Sequence, residues 1–113
     1  MHELAICKGI IDIINSEQKE KDFKKVLEIE LSVGEYSGIV MECVREFFPI
    51  AAAGSAAEHA EIKMNSIEAR FNCLDCGYEG PVNRHDACCP ECKSWSLKMT
   101  RGREFYVEQI KVE

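Results

Sequence analysis

The amino-terminal half of the chain alternates between the hydrophobic periods of a helix and a strand. From Glu3 to about Asn15, apolar residues recur at helical spacing and predict a core-packed helix, formed by Leu4, Ile6, Cys7, Ile10, Ile11, Ile13 and Ile14. The polar run at residues 16–21 either frays the end of this helix or forms the next loop. From Leu27 to Val33 every second residue is apolar, which predicts a strand with one buried face.

A second helix and two more strands follow from the same pattern. Gly34 ends the first strand, and Ser37 is a suitable N-cap for a helix whose apolar residues are Ile39, Val40, Cys43, Val44 and Phe47. Pro49 is expected to kink or end that helix. Residues 62–71 and 103–112 are rich in alternating apolar positions, so both are predicted strands, the second with a bulge near Glu108.

The cysteines add candidate chemistry to the carboxy-terminal half. Cys73 with Cys76 and Cys89 with Cys92 form two C-x-x-C pairs separated by twelve residues. Two tight turns of this kind can bring four sulfurs to tetrahedral positions, which predicts one zinc ion. Four cysteines fill the coordination sphere and leave no position for water or substrate. The ion is therefore expected to be structural rather than catalytic.

Several alternatives remain open for this segment. Cys88 could replace Cys89 as a ligand, which would lengthen the turn by one residue. Paired C-x-x-C turns also hold iron in electron carriers, and a zinc ribbon can act as an adaptor for a protein or nucleic acid partner, although no run of Lys and Arg supports nucleic acid here. His85 is either a solvated loop residue or a pH-sensitive neighbour of the metal, and His59 is either solvent-exposed or a metal or partner contact.

Together these segments predict an α+β fold. Two helices lie on a three-stranded, mostly antiparallel sheet, and a zinc-ribbon-like lobe is inserted before the last strand. The expected domains are an α/β domain at residues 1–70, completed by the strand at residues 102–113, and a zinc-binding domain at residues 71–101. Both ends of the metal-binding segment are then anchored in one sheet.

Composition narrows the range of functions. Of 113 residues, 46% are hydrophobic, and fourteen basic against twenty acidic residues give a net charge of −6, which works against binding to nucleic acid or anionic lipid. No apolar run is long enough to span a bilayer, and an odd number of cysteines with metal-site spacing favours reduced thiols, so a cytosolic location is expected. The sequence shows no nucleophile with a neighbouring base, no phosphate-binding glycine loop and no open metal site, so we expect a binding protein rather than an enzyme.

The amino terminus is a second candidate metal site. The amine of Met1, the amide nitrogen of His2 and its ring Nδ1 can close a five-membered and a six-membered chelate ring around one ion. Square-planar ions such as Ni(II) and Cu(II) favour nitrogen donors in such a plane. Glu3 adds an adjacent carboxylate or a further amide nitrogen.

The order of these motifs resembles the HypA family of nickel metallochaperones over essentially the whole chain. The matching stretches are Met1-His2-Glu3-Leu4, then Val33-Gly34-Glu35-Tyr36-Ser37, the two cysteine pairs, and a last strand ending Ile110-Lys111-Val112-Glu113. The resemblance implies an α/β nickel-binding domain joined to a zinc-binding domain. It also implies delivery of nickel during maturation of nickel-iron hydrogenase and, in some organisms, urease.

Transferred to this sequence, the resemblance makes His2 the principal nickel ligand, with the Met1 amine and the backbone nitrogens of His2 and Glu3 as co-ligands. Some family members have a carboxylate shortly after the stretch matching residues 34–37, whereas this chain has Val40 there and Glu42 two positions later. The implied partners are the nickel-binding GTPase HypB, the hydrogenase large subunit and, where urease is matured, urease accessory proteins.

Overall fold

The structure is a computed structural model that describes residues 3–113. Its elements are α1 (Glu3–Lys21), β1 (Val26–Gly34), α2 (Met41–Ala52), β2 (Glu61–Ile67), β3 (Arg70–Cys73), β4 (Glu79–Gly80), β5 (Leu97–Arg101) and β6 (Phe105–Val112). The strands form two three-stranded sheets in an elongated molecule of 54 × 25 × 17 Å. Within the described range, no helix has the length and apolar character needed to cross a membrane.

The larger sheet has the strand order β2-β1-β6. Strand β1 pairs with β2 in parallel and with β6 in antiparallel orientation. The sheet is therefore mixed, because α2 forms a crossover connection that returns the chain to the same end of the sheet. The predicted bulge is confirmed: the β1–β6 register shifts between Glu30 and Leu31, opposite Gln109 and Val107, and leaves Glu108 as the extra residue.

Both helices cover one face of this sheet and share one hydrophobic core, which confirms the predicted α+β arrangement. Its fully buried side chains come from α1, β1 and α2 and include Cys7, Ile10, Ile14, Val26, Ile29, Leu31, Val33, Val44 and Phe48. Burying one large apolar side chain contributes about 1.5–3 kcal/mol. This core can therefore stabilise the two helices on the sheet without help from a metal.

The other face of the larger sheet is polar. Glu30 accepts hydrogen bonds from the side-chain amides of Asn65 and Gln109, and these bonds lower the pKa of its carboxyl group. Lys111 pairs with Glu28 across the β1–β6 ladder at 3.2 Å. From Glu28 to Val33 the alternation in β1 places Ile29, Leu31 and Val33 on the core face. The prediction that Leu27 is buried is wrong, because the register shifts between Val26 and Glu28 and Val26 is buried instead.

Helix α1 is longer than its apolar stripe predicts. It continues through the polar run to Lys21, and an ion pair of 2.9 Å between Lys21 and Glu17 spans its last turn. Glutamate, glutamine and lysine are good helix formers, so this run extends the helix even though it buries little. Asp22, with φ of 53°, then ends it.

Helix α2 differs from prediction at both ends. It begins at Met41, after Val40 as N-cap, whereas the Ser37 hydroxyl accepts a hydrogen bond from the Ile39 amide at 3.3 Å in a turn before the helix. The prediction of Ser37 as N-cap is therefore wrong, because its side chain closes a local turn instead. Pro49 lies inside the helix, which ends three residues later at Ala52.

The topology places both helix amino termini at one end of the molecule. Four residues separate α1 from β1, so the chain must reverse direction there, and α2 also runs opposite to β1 as the crossover between parallel strands. The helices are consequently parallel to each other and in contact, with the Cys7 thiol 3.6 Å from the Val44 carbonyl oxygen. Glu3 therefore lies at the carboxyl end of β1, the end from which the cysteine-containing segment extends.

The predicted strand at residues 62–71 is divided between the two sheets. Its first part is β2, and its last part begins β3, the central strand of the smaller β4-β3-β5 sheet. The register opposes Arg70 to Arg101 and Asn72 to Lys98 on one face of this sheet. On the other face Phe71 opposes Met99 and Cys73 opposes Leu97. We call residues 68–103, which contain this sheet and the two cysteine pairs, the cysteine lobe.

The lobe joins the larger sheet where two glycine backbones approach closely. The Gly34 amide donates to the carbonyl of Glu104 at 2.6 Å, and a Cβ built on Gly34 would overlap the Gly102 carbonyl. Gly102 has φ of 134°, and a Cβ there would meet Ala69 at 2.7 Å. Neither position has room for a side chain, so the junction requires both glycines.

Tyr36 makes contacts across the same junction with both its backbone and its side chain. Its amide donates to the Gly102 carbonyl at 2.7 Å, and its ring meets Phe71 edge to face with centroids 6.1 Å apart. The Arg84 guanidinium lies 4.6 Å from the centre of the Tyr36 ring, within the range of a cation–π contact. Tyr36 therefore contacts both β3 and the loop between the cysteine pairs.

Replacing Gly34 with alanine should lower the free energy of unfolding by about 2 kcal/mol, because the added methyl group overlaps backbone that cannot move freely. Gly9→Ala is the matched control, since a Cβ at this position in α1 meets no atom within 4 Å. That variant should gain roughly 0.5–1 kcal/mol from helix propensity. Urea unfolding followed by circular dichroism measures both changes; equal effects of the two substitutions would contradict the close packing at Gly34.

Candidate metal centre

The first cysteine pair forms a turn held by two backbone hydrogen bonds. The Gly77 amide donates to the Cys73 carbonyl at 3.0 Å, and the Cys73 amide donates to the Tyr78 carbonyl at 2.8 Å. Gly77 has φ of 79°, a left-handed conformation that glycine adopts without steric penalty. The sequence therefore sets the turn by placing glycine directly after Cys76.

The second pair forms the same turn. The Lys93 amide donates to the Cys89 carbonyl at 2.9 Å, and the Cys89 amide donates to the Ser94 carbonyl at 2.8 Å. Lys93, which follows Cys92, takes the left-handed conformation with φ of 66°. A side chain in this conformation costs roughly 1–2 kcal/mol. The matching geometry shows that the structure tolerates this cost to hold Cys89 and Cys92.

The two turns face each other and bring four sulfurs together. Cys73 Sγ lies 3.6 Å from Cys92 Sγ, and Cys76 Sγ lies 3.6 Å from Cys89 Sγ. All four sulfurs lie within 4.8 Å of one another, and none forms a disulfide. Zinc–sulfur bonds of about 2.3 Å in a tetrahedron require sulfurs about 3.8 Å apart. The cluster therefore fits a tetrahedral zinc tetrathiolate with a small contraction of its longest edges.

Considered as free thiols, these cysteines ionise unequally. The backbone N–H of Cys76 favours the Cys73 thiolate and lowers the pKa of Cys73 to about 7. The N–H of Tyr78 favours the thiolate of Cys76, but desolvation and the neighbouring sulfurs outweigh it and raise the pKa of Cys76 to about 12. The pKa of Cys92 is also raised, since desolvation and the sulfurs of Cys73 and Cys89 outweigh the N–H of Ser94. A cation must therefore displace protons to bind here.

The other candidate residues near this segment lie outside the cluster. Cys88 is half-buried and does not belong to the group of four sulfurs. His85 is exposed, and its backbone amide donates to the Asn83 side chain at 2.8 Å. His59 is also exposed and does not belong to the cluster. The geometry thus brings together the four cysteines selected by spacing and leaves out the three other candidates.

The predicted nickel site falls at the edge of the described structure. Met1 and His2 lie outside the described residues, whereas Glu3 begins α1. Glu3 Oε2 is buried and has no hydrogen-bond partner among residues 3–113. Burial raises the pKa of the Cys7 thiol, and the carboxylate of Glu3, one helical turn away, raises it further. A buried carboxylate oxygen without a partner is costly, so it marks a position suited to a donor or a cation.

Two features of the centre were not found from the sequence. The Ser94 hydroxyl donates to the Asp75 carboxylate and links the two cysteine turns. The Leu74 amide donates to the Ser96 carbonyl at 2.9 Å and extends the β3–β5 pairing to the tip of the lobe. Only the three-dimensional pairing reveals these links, although the equal spacing of Asp75 and Glu91 within the two pairs hints at related turns.

Comparison with known proteins identifies matches over the full length. A family model described as "Hydrogenase/urease nickel incorporation, metallochaperone, hypA" matches residues 1–112. The chain is 40% identical over 121 aligned positions to the hydrogenase maturation factor HypA of Methanocaldococcus jannaschii, covering 100% of this chain and 98% of that protein. It is 34% identical to the protein of the same name from Dehalococcoides mccartyi, covering 100% and 95% of the two chains.

The fold also matches solved structures. The solution structure of the Ni metallochaperone HypA from Helicobacter pylori superimposes with a TM-score of 0.70 at 20% identity, covering 99% of this chain and 97% of that one. A second solution structure, of a HypA protein, gives a TM-score of 0.74 at 19% identity, with 100% and 97% coverage. At these identities the superpositions establish the shared fold.

The position of Cys88 outside the sulfur cluster predicts different results for two adjacent serine substitutions. Cys89→Ser should lose the bound zinc and unfold the lobe, since a structural zinc site contributes on the order of 10 kcal/mol. Cys88→Ser is the matched control and should retain one zinc per chain after desalting. Metal analysis and the absorption spectrum of the cobalt-substituted protein measure both. Loss of zinc from Cys88→Ser with retention in Cys89→Ser would reverse the ligand assignment.

Zinc uptake should release protons because the pKa values of Cys76 and Cys92 are raised. At pH 7 both thiols are protonated when free, so binding should release at least two protons per ion. Zinc affinity should consequently fall about a hundredfold or more for each unit of decrease in pH. Calorimetric titrations in two buffers of different ionisation enthalpy count the protons. A binding enthalpy independent of the buffer would contradict this charge state.

Proposed function

Because the chain belongs to the HypA family of hydrogenase and urease nickel-incorporation metallochaperones, we propose that it binds one Ni(II) ion at its amino terminus and delivers it to hydrogenase. The observation that carries the proposal is the family match over residues 1–112, which includes the Met1-His2-Glu3 start. The ion is cargo rather than a resident cofactor, so its ligands should release it when a recipient competes for it.

The proposed nickel ligands are nitrogen atoms at the start of the chain. The Met1 amine, the His2 amide nitrogen and the His2 ring Nδ1 supply a planar set of donors, and the backbone nitrogen of Glu3 can complete it. The buried Oε2 of Glu3, which has no hydrogen-bond partner among residues 3–113, supports this location, because a nearby cation or N–H would satisfy it. His2 is then the principal ligand, and Glu3 supports the site from the first turn of α1.

The carboxylate that some family members have near this site has no equivalent at Val40. Val40 is the exposed N-cap residue of α2 and has no side-chain oxygen. Glu42, in the first turn of α2, is also exposed. The parallel helices bring the starts of α1 and α2 to the same end of the molecule. Glu42, in the first turn, is therefore the carboxylate of α2 at the end where α1 begins. We nevertheless assign nickel binding to the amino-terminal nitrogens.

We assign the second metal role to structural zinc held by Cys73, Cys76, Cys89 and Cys92. The sulfur spacing and the absence of a fifth donor within the described cluster support a closed tetrahedral site. We also retain the division into an α/β nickel-binding domain at residues 1–70, completed by residues 102–113, and a zinc-binding domain at residues 71–101. The zinc would then hold the lobe while nickel exchanges at the other site.

The proposal includes specific partners and a location. Nickel would be exchanged with the GTPase HypB and passed to the large subunit of nickel-iron hydrogenase, in the cytosol. Where the organism makes urease, urease accessory proteins would be further partners. Family membership supports this assignment, since the matching family model covers nickel incorporation into both enzymes.

Nickel titration of the zinc-loaded protein tests the function. Calorimetry should show one equivalent of Ni(II) bound by the wild type, and His2→Ala should abolish that binding without releasing zinc. One residue added before Met1 should weaken binding almost as strongly, because it moves the amine out of the chelate ring. Addition of nickel-loaded protein to apo-hydrogenase large subunit then measures delivery.

His85→Ala and His59→Ala are the matched controls, since both histidines are exposed and lie outside the proposed site. Nickel affinity in these variants should equal that of the wild type. If the wild type takes up no nickel at neutral pH, the proposal fails. If His85→Ala or His59→Ala loses nickel while His2→Ala retains it, the ligand assignment is wrong even though the carrier function remains.

A further inference from the structure

Two large apolar side chains are exposed in adjacent backbone segments of the cysteine lobe. Trp95 is 74% exposed and Leu74 is 66% exposed. The hydrogen bond from the Leu74 amide to the Ser96 carbonyl brings their backbone segments next to each other. Isolated exposed apolar residues are common, but two of this size in adjacent segments expose apolar area that water solvates poorly, and we call Leu74 and Trp95 the apolar patch.

The backbone around this patch is fixed by the two cysteine turns. Leu74 lies inside the first turn, between Cys73 and Cys76, and Trp95 directly follows Ser94, whose carbonyl accepts the Cys89 amide. The Ser94 hydroxyl bonds to Asp75 of the first turn and also accepts the Ser96 amide at 3.1 Å. Anchors held on a rigid backbone lose little conformational freedom when they bind. The backbone that carries Leu74 and Trp95 is therefore already ordered before a partner binds.

A basic surface adjoins the patch. The β3–β5 register places Arg70 opposite Arg101 and Asn72 opposite Lys98, so three cations share one face of the small sheet. Leu74 follows this row, because its amide continues the pairing to Ser96. Two arginines directly opposite each other repel, which destabilises the sheet unless an anion screens them. Glu79, opposite Asn72, is the acidic residue that the register places on this face.

These cations have no ion-pair partners within the described structure. The salt bridges formed among residues 3–113 are Lys21 with Glu17 and Lys111 with Glu28, both outside the lobe. The lobe carries six basic and five acidic side chains, whereas the rest of the chain carries eight basic and fifteen acidic ones. The lobe therefore has a small excess of basic residues, whereas the rest of the chain has an excess of acidic ones.

We propose that Leu74 and Trp95 anchor an acidic, amphipathic segment of a protein partner on the cysteine lobe. Apolar side chains of that segment would cover the two anchors, and its carboxylates would pair with Lys98, Arg101 and Arg70. Tryptophan and arginine are the residue types most enriched among energetically dominant interface positions. The inference rests on the lobe alone and does not require nickel binding at the amino terminus.

The charge distribution favours a short protein segment over nucleic acid. A nucleic acid chain extending beyond the basic face would approach the rest of the molecule, which has an excess of acidic residues. A protein segment can carry its carboxylates where they meet the three cations and remain neutral elsewhere. Complementary charge of this kind increases the association rate and selects between partners.

Trp95 is the single tryptophan of the chain, so its fluorescence reports directly on this surface. The probe is a 14-residue synthetic peptide with leucine at every third or fourth position and glutamate between, without aromatic residues. Added to the zinc-loaded full chain, it should shift Trp95 emission to shorter wavelength and shield it from iodide quenching. Leu74→Ser should raise the dissociation constant about tenfold, and so should the double variant Lys98→Glu/Arg101→Glu.

Matched controls separate this surface from general stickiness. Ile50→Ser removes an apolar side chain that is 64% exposed on α2, and Lys63→Glu reverses an exposed cation on β2; neither should alter peptide binding. Zinc content of each variant confirms that the lobe is intact. The proposal is overturned if the glutamate peptide causes no emission shift at millimolar concentration, or if Leu74→Ser binds it as well as the wild type. Equal binding of a peptide with lysine in place of glutamate, or of a 20-nucleotide single-stranded DNA, would also overturn it.

Discussion

The carboxy-terminal half of this protein depends on a cluster of four cysteine sulfurs whose spacing fits one tetrahedral zinc ion. Of the sixteen buried apolar residues among residues 3–113, the cysteine lobe contains Ala69, Cys73 and Cys89, and two of these three are themselves thiols. Three small residues cannot offset the conformational entropy of ordering a segment of this length. The free energy of metal binding must therefore supply most of the stability of the lobe.

The rest of the chain is stabilised in a different way. Its helices bury isoleucine, valine and phenylalanine side chains against β1, and no metal ligand takes part in that core. Because the helical core and the cysteine lobe are stabilised separately, the two proposed metal sites can differ in how tightly they hold an ion. An ion enclosed by thiolates would exchange slowly, whereas an ion at the proposed amino-terminal ligands would leave without disturbing either the core or the lobe.

The sequence predicted most of the larger sheet, because β1 and β6 have regular hydrophobic alternation and the helices have apolar stripes. It also selected the four cysteines, since turn geometry depends on local spacing. It failed at two helix ends, where local effects compete with the hydrophobic pattern. The end of α1 is determined by helix propensity in a polar run, and the start of α2 by a local turn at Ser37.

Long-range pairings could not be predicted from the sequence, because they depend on tertiary packing. Residues 62–71 form a continuous apolar pattern, yet Ala69 packs against Gly102 and divides them between two sheets. The burial of the Glu3 Oε2 atom likewise depends on tertiary packing around the start of α1. The proposed nickel ligands Met1 and His2 lie outside the described residues, so their assignment still rests on sequence and family.

The contacts of Tyr36 fix the orientation of the cysteine lobe, which matters for the transfer of an ion. Two chain crossings and one aromatic ring give the lobe three separate attachments to the sheet, and three points define an orientation. The two chain connections alone would allow the lobe to rotate relative to the sheet. The Tyr36 ring restricts this rotation because it also contacts the loop between the cysteine pairs. A protein that binds the lobe is therefore also placed in a fixed orientation relative to the first turn of α1.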